Sequence, residues 1–220
     1  MMTDPVFPSI AIIGTGLIGA SIARAAAEYG AAGSISLYDA SDDVRRRAEG
    51  LGLGDVADTL EAAVAEADCV LLCVPVGALA AVAAAAVPHM KTGAILTDVG
   101  SVKGEAAAAL MAADDGRVHI IPGHPIAGTE QSGPEAGFAT LFRDAWHILT
   151  PGPRTDEAYL AAVDGLTRFW QALGSKVETM DTARHDRVLA ITSHLPHLIA
   201  FNIVATAFDM ETVEDGEVVK

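Results

Sequence analysis

The chain has 220 residues, of which 51% are hydrophobic, and it carries a formal net charge of −15 at pH 7. That length and apolar content are enough for one large domain with a substantial core. The negative charge argues against nucleic acid or an anionic membrane as a partner, because nothing offsets the repulsion of phosphates. The alanine-rich apolar run at 77–88 is too short to span a bilayer, and no basic segment precedes an apolar one at the N-terminus. We therefore expect neither a membrane partner nor a signal peptide.

Short apolar runs alternate with helical patterns over most of the chain, which is typical of an α/β fold with a mostly parallel, doubly wound sheet. Strands are predicted at 9–14, 34–39, 68–75, 93–99, 118–122 and 145–151. Helices are predicted near 17–29, 41–50, 58–66, 77–87, 103–113 and 155–173.

The pattern changes near residue 181, where one long helix begins that we expect to be kinked at Pro196. We therefore predict one domain over 1–180 and, over 181–220, the first long helix of a helical domain.

The two cysteines, Cys69 and Cys73, lie in one predicted strand. They point to the same face but are roughly 13 Å apart, which is too far for a disulfide bond. Both are expected to behave as small buried hydrophobic residues in a reducing compartment, and this favours the cytoplasm.

A glycine motif of the form G-x-G-x-x-G follows the first strand and opens the first helix, at Gly14, Gly16 and Gly19. In this context it is typical of a Rossmann-type dinucleotide site, in which the glycines permit a tight turn, approach of the pyrophosphate and close helix packing. Asp39 ends the next strand, where a carboxylate accepts hydrogen bonds from ribose hydroxyls and repels a 2′-phosphate. NAD is therefore favoured over NADP, although the arginines at 45–47 leave NADP open unless they form a solvated helix face.

Two further segments follow predicted strands, where a doubly wound fold places its active site. Ser101 precedes a helix, so it could cap that helix or bind a ligand, and capping is the commoner role. His124 lies between Gly123 and Pro125, and the proline disfavours a helical conformation at the histidine. A stiffened histidine beside small residues suits a proton acceptor near neutral pH, or a structural turn.

The last helix carries His185, His194 and His197. His185 and His197 are roughly 18 Å apart along a straight helix, so they cannot both contact the same end of a small ligand. Because there is no H-E-x-x-H pattern and no cysteine partner, we expect no metal site.

The segments GTGLIG, DVGSVK, GHPIAGTEQSG and HDRVLAITSHLPHLIAFN, in this order, resemble the prephenate/arogenate (cyclohexadienyl) dehydrogenase family of tyrosine biosynthesis. The resemblance implies NAD-dependent oxidative decarboxylation of prephenate or arogenate. In that comparison His124 aligns with the catalytic histidine that accepts the 4-hydroxyl proton, and Ser101 with a serine that orients the hydroxyl. The positions implied to contact substrate are His197, His185, Gly128 and Thr129. Those expected to contact the cofactor are Gly14, Thr15, Gly16, Leu17, Ile18, Gly19, Asp39, Val74, Pro75 and Ser101.

The family comparison also implies further C-terminal helices, a substrate-binding arginine on them, and a homodimer. Two other interpretations stay open at this point. One is a non-catalytic NAD-binding module. The other is a related dehydrogenase acting on hydroxyacids, which would keep a lysine on the long helix, whereas 181–219 contains none.

Overall fold

The computed structural model describes residues 4–211, with side chains for residues 4–208. Its main sheet has six parallel strands in the order β3-β2-β1-β4-β5-β6. The strands are β1 (Phe7–Ile13), β2 (Ala32–Tyr38), β3 (Asp55–Val56), β4 (Cys69–Leu72), β5 (Ile95–Asp98) and β6 (His119–Ile120). The predicted α/β class with a parallel sheet is confirmed, and the strand order reverses between β1 and β4, where such folds bind ligands.

Helices cover both faces of this sheet and divide the core into two layers. They are α1 (Leu17–Glu28), α2 (Asp42–Gly50), α3 (Leu60–Val64), α4 (Leu79–Ala86), α5 (Lys103–Met111) and α6 (Glu157–Ala172). Alternate residues of β1 serve the two layers, because successive side chains of a strand point to opposite faces. Ile10 and Ile12 pack in the layer that contains Trp170, and Ala11 and Ile13 pack in the layer that contains Leu79.

A second, three-stranded sheet lies beside the main one and consists of β7 (Gly123–Pro125), β8 (Trp146–Leu149) and β9 (Lys176–Thr179). Strand β7 is antiparallel to β8, and β8 is parallel to β9. The strand predicted at 145–151 therefore exists but belongs to this smaller sheet. Strand β9 was not predicted from the sequence, because its residues are largely exposed and show no apolar run. Strand β3, which has only two residues, was also not predicted.

The described part of the chain ends in a continuous helical segment made of α7 (Thr182–Leu189), a π turn (Ala190–His194) and α8 (Leu195–Glu211). The kink was expected at Pro196, whereas the irregularity in the structure is the π turn at Ala190–His194, just before that proline. The predicted helical region continues to 220, and its part at 212–220 lies outside the described residues.

Helix α8 exposes apolar side chains on several sides, among them Leu198, Phe201, Ile203 and Val204. By length and composition alone, Thr182–Phe208 could cross a membrane, and only 6% of its most apolar 18-residue window is buried. The expectation of no membrane partner rested on the net charge and on the apolar run at 77–88, and did not take this longer apolar segment into account.

Candidate active site

The glycine loop has the geometry of a ligand-binding turn. Gly14 has φ +95°, and a Cβ there would lie 2.5 Å from the carbonyl oxygen of Cys73. A Cβ at Gly19 would lie 2.1 Å from the carbonyl oxygen of Gly14, so close packing of α1 on the loop requires glycine. At Gly16 a Cβ would meet nothing within 4 Å. Gly16 therefore faces open space at the N-terminus of α1, where backbone N–H groups can receive an anion.

Asp39 ties the glycine loop to the end of β2. Its Oδ2 accepts a hydrogen bond from the backbone N–H of Thr15 at 2.9 Å, and its Oδ1 accepts one from that of Ser41 at 2.9 Å. The carboxylate is thus held beside the loop, where a ribose would approach. These contacts fit the dinucleotide expected from the sequence.

The three arginines that left NADP open all have carboxylate partners, namely Arg45 with Asp42, Arg46 with Asp43, and Arg47 with Glu135. Arg45 also donates to the carbonyl oxygen of Asp39 at 2.6 Å. A 2′-phosphate would therefore meet paired guanidinium groups and the Asp39 carboxylate, an arrangement that favours NAD.

The other residues expected at the cofactor lie around the same loop. Thr15 is buried in the loop, while Leu17 and Ile18 are partly exposed in the first turn of α1. After β4, Val74 lies close enough that its Cγ1 would be 3.1 Å from a Cβ on Gly14, and Pro75 precedes a short 3₁₀ turn. These positions surround one mouth at the carboxyl ends of β1 and β4.

A cleft of about 740 Å³ gathers the residues expected at the substrate. Its lining includes Ser101, His124, Gly128, Thr129 and His197. Ser101 is exposed and does not cap α5, so the capping role favoured from sequence alone is wrong. The Nδ1 atom of His197 lies 2.9 Å from the carbonyl oxygen of Ser193, which leaves its Nε2 available.

A buried ion pair lies behind His124 and was not predicted. Lys103 and Asp98 are both fully buried, with Lys103 Nζ 2.5 Å from Asp98 Oδ2. The same ammonium group donates to the carbonyl oxygen of Gly123 at 2.6 Å, and Asp98 Oδ1 accepts from the N–H of Gly123 at 3.2 Å. Burial lowers the pKa of Lys103, and the adjacent Asp98 opposes that shift. Hydrogen bonds therefore hold both the N–H and the carbonyl group of Gly123, the residue before His124.

His185 occupies a different position from the one expected. Its side chain is fully buried, and its Nε2 lies 2.9 Å from Nδ1 of His124 instead of lining the cleft. Its Nδ1 lies 2.8 Å from Oδ1 of Asp186. Sequence spacing could not show this contact, because His124 and His185 are 61 residues apart and on separate elements.

Asp186 performs the capping that was assigned to Ser101. Its two carboxylate oxygens accept hydrogen bonds from the backbone N–H groups of Lys103 and Gly104, at 2.7 and 2.8 Å. Burial alone would raise the pKa of Asp186, but the hydrogen bonds from His185 and from these two N–H groups lower it. The carboxylate is therefore an acceptor toward His185, whose Nδ1 must carry the proton.

This arrangement determines the tautomer of His124. Because Nδ1 of His185 donates to Asp186, its Nε2 accepts, and so Nδ1 of His124 must donate. Nε2 of His124 is left with a free lone pair. Burial, followed by the neighbouring His185 and Lys103, lowers the pKa of His124 to about 3, so the ring is neutral at neutral pH. His124 is thus a neutral base with a fixed orientation.

The described residues contain no group of three or more His, Cys, Asp or Glu side chains that could hold a metal ion.

Comparison with known proteins gives this geometry its context. Residues 22–179 match the family model described as prephenate dehydrogenase, nucleotide-binding domain. Residues 181–220 match the model described as prephenate dehydrogenase, dimerization domain. The chain belongs to the prephenate dehydrogenase family. The hydrogen bond between His124 and His185 consequently joins the parts of the chain that the two family models match.

Relatives and solved structures agree with this assignment. The cyclohexadienyl dehydrogenase of Zymomonas mobilis is 49% identical over 201 residues, which cover 90% of this chain and 67% of that protein. The prephenate dehydrogenase of Bacillus subtilis is 33% identical, over 89% of this chain and 53% of its own length. The chain thus spans between about half and two thirds of these curated relatives.

Among solved structures, prephenate dehydrogenase from Aquifex aeolicus in complex with hydroxyphenyl propionate and NAD+ superposes with a TM-score of 0.83 at 34% identity. The match covers 94% of this chain and 71% of that one.

The glycine loop yields a first prediction. We expect Gly16→Ala to leave thermal stability unchanged but to weaken NAD+ binding, because its Cβ would enter the open space at the helix N-terminus. Gly19→Ala should lower the melting temperature as well, since its Cβ would lie 2.1 Å from a backbone oxygen. Calorimetric titration with NAD+ and thermal unfolding of both variants test this contrast. Equal loss of stability in the two variants would contradict it.

The histidine pair yields a second prediction, which NMR titration of the ring protons can check. In the intact chain the His124 signals should not titrate between about pH 8 and pH 5, because its pKa is lowered to about 3. An unfolded histidine takes up its proton near pH 6.5, so the free energy of unfolding should fall as the pH drops below about 6.5.

His185→Asn should raise the pKa of His124, because His185 is the second largest cause of the lowering after burial.

The control is His197→Asn, since His197 lines the cleft and does not contact His124. A His124 pKa that is the same in His185→Asn and in the intact chain would exclude the pairing.

Proposed function

We propose that the chain catalyses the NAD-dependent oxidative decarboxylation of prephenate, arogenate or both, giving 4-hydroxyphenylpyruvate or tyrosine. The observation that carries this proposal is the neutral His124, which is held by His185 and lines the cleft together with Ser101. The family membership and the cyclohexadienyl dehydrogenase relative support the substrate class.

The residues fit the cofactor that the reaction needs. Gly16 leaves room at the N-terminus of α1, and Asp39 stands beside the loop to receive ribose hydroxyls. When bound, NAD+ supplies a hydride acceptor for the ring carbon that carries the 4-hydroxyl group.

His124 supplies the base for this reaction. As hydride leaves the carbinol carbon, the hydroxyl proton passes to Nε2 of His124 and the carbon becomes a carbonyl. The ring keeps its orientation in this step, because Nδ1 of His124 stays bonded to His185 and His185 is held by Asp186. The ring carboxylate then departs as carbon dioxide, and the electrons of the broken C–C bond complete the aromatic ring. The carbonyl oxygen becomes the phenol oxygen and takes back the proton from Nε2 of His124.

Other cleft residues orient the substrate. Ser101 is exposed beside His124 and can hydrogen-bond the 4-hydroxyl group. Gly128, Thr129 and His197 also line the cleft, and we assign them to the non-reacting part of the substrate. Lys103 and His185 act through His124, because both are fully buried behind it.

We propose further that the chain forms a homodimer through the 181–220 region. The match of residues 181–220 to a dimerization domain supports this, as does the exposed apolar surface of α8. An exposed apolar helix is stabilised when a partner removes it from water, and a second copy offers the same surface. Cytoplasmic location is proposed on the basis of two free cysteines, of which Cys69 is fully buried.

Turnover tests the reaction directly. NADH formation is measured with prephenate and with arogenate, and the ratio of the two rates identifies the preferred substrate. We expect His124→Asn to bind NAD+ with unchanged affinity and to lose about 10²- to 10⁴-fold in kcat, since only the proton acceptor is removed. Near-normal turnover of this variant would remove His124 from the mechanism.

The dimer is tested by sedimentation equilibrium. Phe201→Asp should shift the protein toward monomer, because Phe201 is 74% exposed in the described chain and would place a charge in the interface. Met111→Asp is the matched control, as Met111 is also an exposed apolar residue but lies on α5. A monomeric parent protein, or one that partitions into lipid vesicles, would overturn the dimer.

A further inference from the structure

We propose that Arg47 and Glu135 form a positioning pair that fixes one wall of the substrate cleft to the cofactor-binding elements. This inference rests on the proposed function, because it concerns how that reaction's substrate is held. Neither residue lines the cleft, and both lie outside the histidine network.

The pair is a two-pronged ion pair between distant parts of the chain. Nε of Arg47 donates to Oε1 of Glu135 at 2.7 Å, and Nη2 of Arg47 contacts Oε2. The two residues are 88 positions apart, with Arg47 on α2 and Glu135 in the 3₁₀ turn Pro134–Ala136. Most exposed ion pairs contribute little, but a bidentate guanidinium–carboxylate pair is the geometry in which orientation is well defined.

The segment between the cleft and this pair has few contacts of its own. Residues 128–130 line the cleft, and residues 128–132 are all exposed. Within that segment the hydrogen bond shown by the structure runs from the N–H of Gln131 to Oγ1 of Thr129, at 3.2 Å. Its position is therefore determined mainly by the anchors at its two ends.

One end is held by the second sheet, where the N–H of Ile126 donates to the carbonyl oxygen of Trp146 at 2.7 Å. At the other end the chain packs on α1. A Cβ on Gly137 would lie 2.6 Å from that of Ala20, and the N–H of Phe138 donates to Oγ of Ser21 at 3.1 Å. On this side the turn Pro134–Ala136 is held by the buried Pro134 and by the ion pair of Glu135.

The pair connects the cleft wall to the cofactor site. Helix α2, which carries Arg47, begins just after Asp39, and Asp39 holds the N–H of Thr15 in the glycine loop. The wall at 128–130 and the glycine loop are thus joined through α2, in addition to the contacts that the same segment makes with α1. A wall placed in this way holds the substrate at a defined position relative to the cofactor.

Loss of the pair should weaken substrate binding more than chemistry. Gly128 and Thr129 are assigned to the non-reacting part of the substrate, whose contacts contribute equally in the ground state and the transition state. We expect Arg47→Gln or Glu135→Gln to raise KM roughly threefold to tenfold. In both variants kcat should stay within about twofold, and the Kd for NAD+ should not change, because Arg47 is turned toward Glu135.

The charge exchange Arg47→Glu with Glu135→Arg separates a positioning role from a structural one. This double variant should bring the raised KM most of the way back to the parent value. Recovery should be incomplete, because the new carboxylate at position 47 would lie near Asp43, an existing partner of Arg47. Arg168→Gln is the matched control, as it removes an exposed ion pair with Asp164 on α6, far from the cleft lining. The melting temperatures of all variants are compared so that loss of fold is recognised.

An unchanged KM in both single variants overturns the inference. A folded double variant whose KM stays as high as in the single variants also overturns it. If the parent chain turns over neither substrate, the proposed function fails, and hydrogen exchange then decides about the pair. The hydrogen-bonded amides of Gln131, Ala136 and Gly137 should exchange faster in Glu135→Gln than in the parent and in Arg168→Gln. Equal protection in all three proteins would overturn the pair as an anchor of this segment.

Discussion

The carboxylate of Asp186 is the contact on which the catalytic arrangement depends. It caps the N-terminus of α5 by accepting two backbone hydrogen bonds, and it also receives the ring N–H of His185. The C-terminal helix is thereby attached to the first turn of α5, and its His185 reaches His124. Because an ionised carboxylate can only accept hydrogen bonds, it sets the proton positions in both histidines and leaves one nitrogen of His124 basic.

A second buried group holds the same histidine from behind. The Lys103–Asp98 pair is fully buried, and such pairs contribute little net stability because both charges lose their hydration. The pair instead fixes the backbone next to His124, since Lys103 also donates to the carbonyl oxygen of Gly123. The positive ammonium group further disfavours protonation of His124, so that the base stays neutral despite a chain with net charge −15.

The site also shows why a small second sheet matters. Strand β7 carries His124 and pairs with β8, which turns the chain away from the main sheet at the carboxyl ends of its strands. The segment that follows β7 crosses α1 and reaches α2 through Glu135. Three separate anchors therefore hold the cofactor loop, the base and the cleft wall. Hydride transfer requires such fixed positions, because the two ligands must be held in a defined orientation.

The sequence by itself determined the class of fold and the glycine loop, and it singled out His124 as one of the histidines that line the cleft. These features are local: strand and helix patterns repeat over a few residues, and the roles of Gly14, Gly19 and Pro125 follow from backbone geometry. Only the tertiary structure decided how His185, Asp186 and Lys103 are used, and that Ser101 is not a cap. Hydrogen bonds between residues 61 to 83 positions apart leave no periodic signal, because the chain's folding, and not its spacing, brings them together.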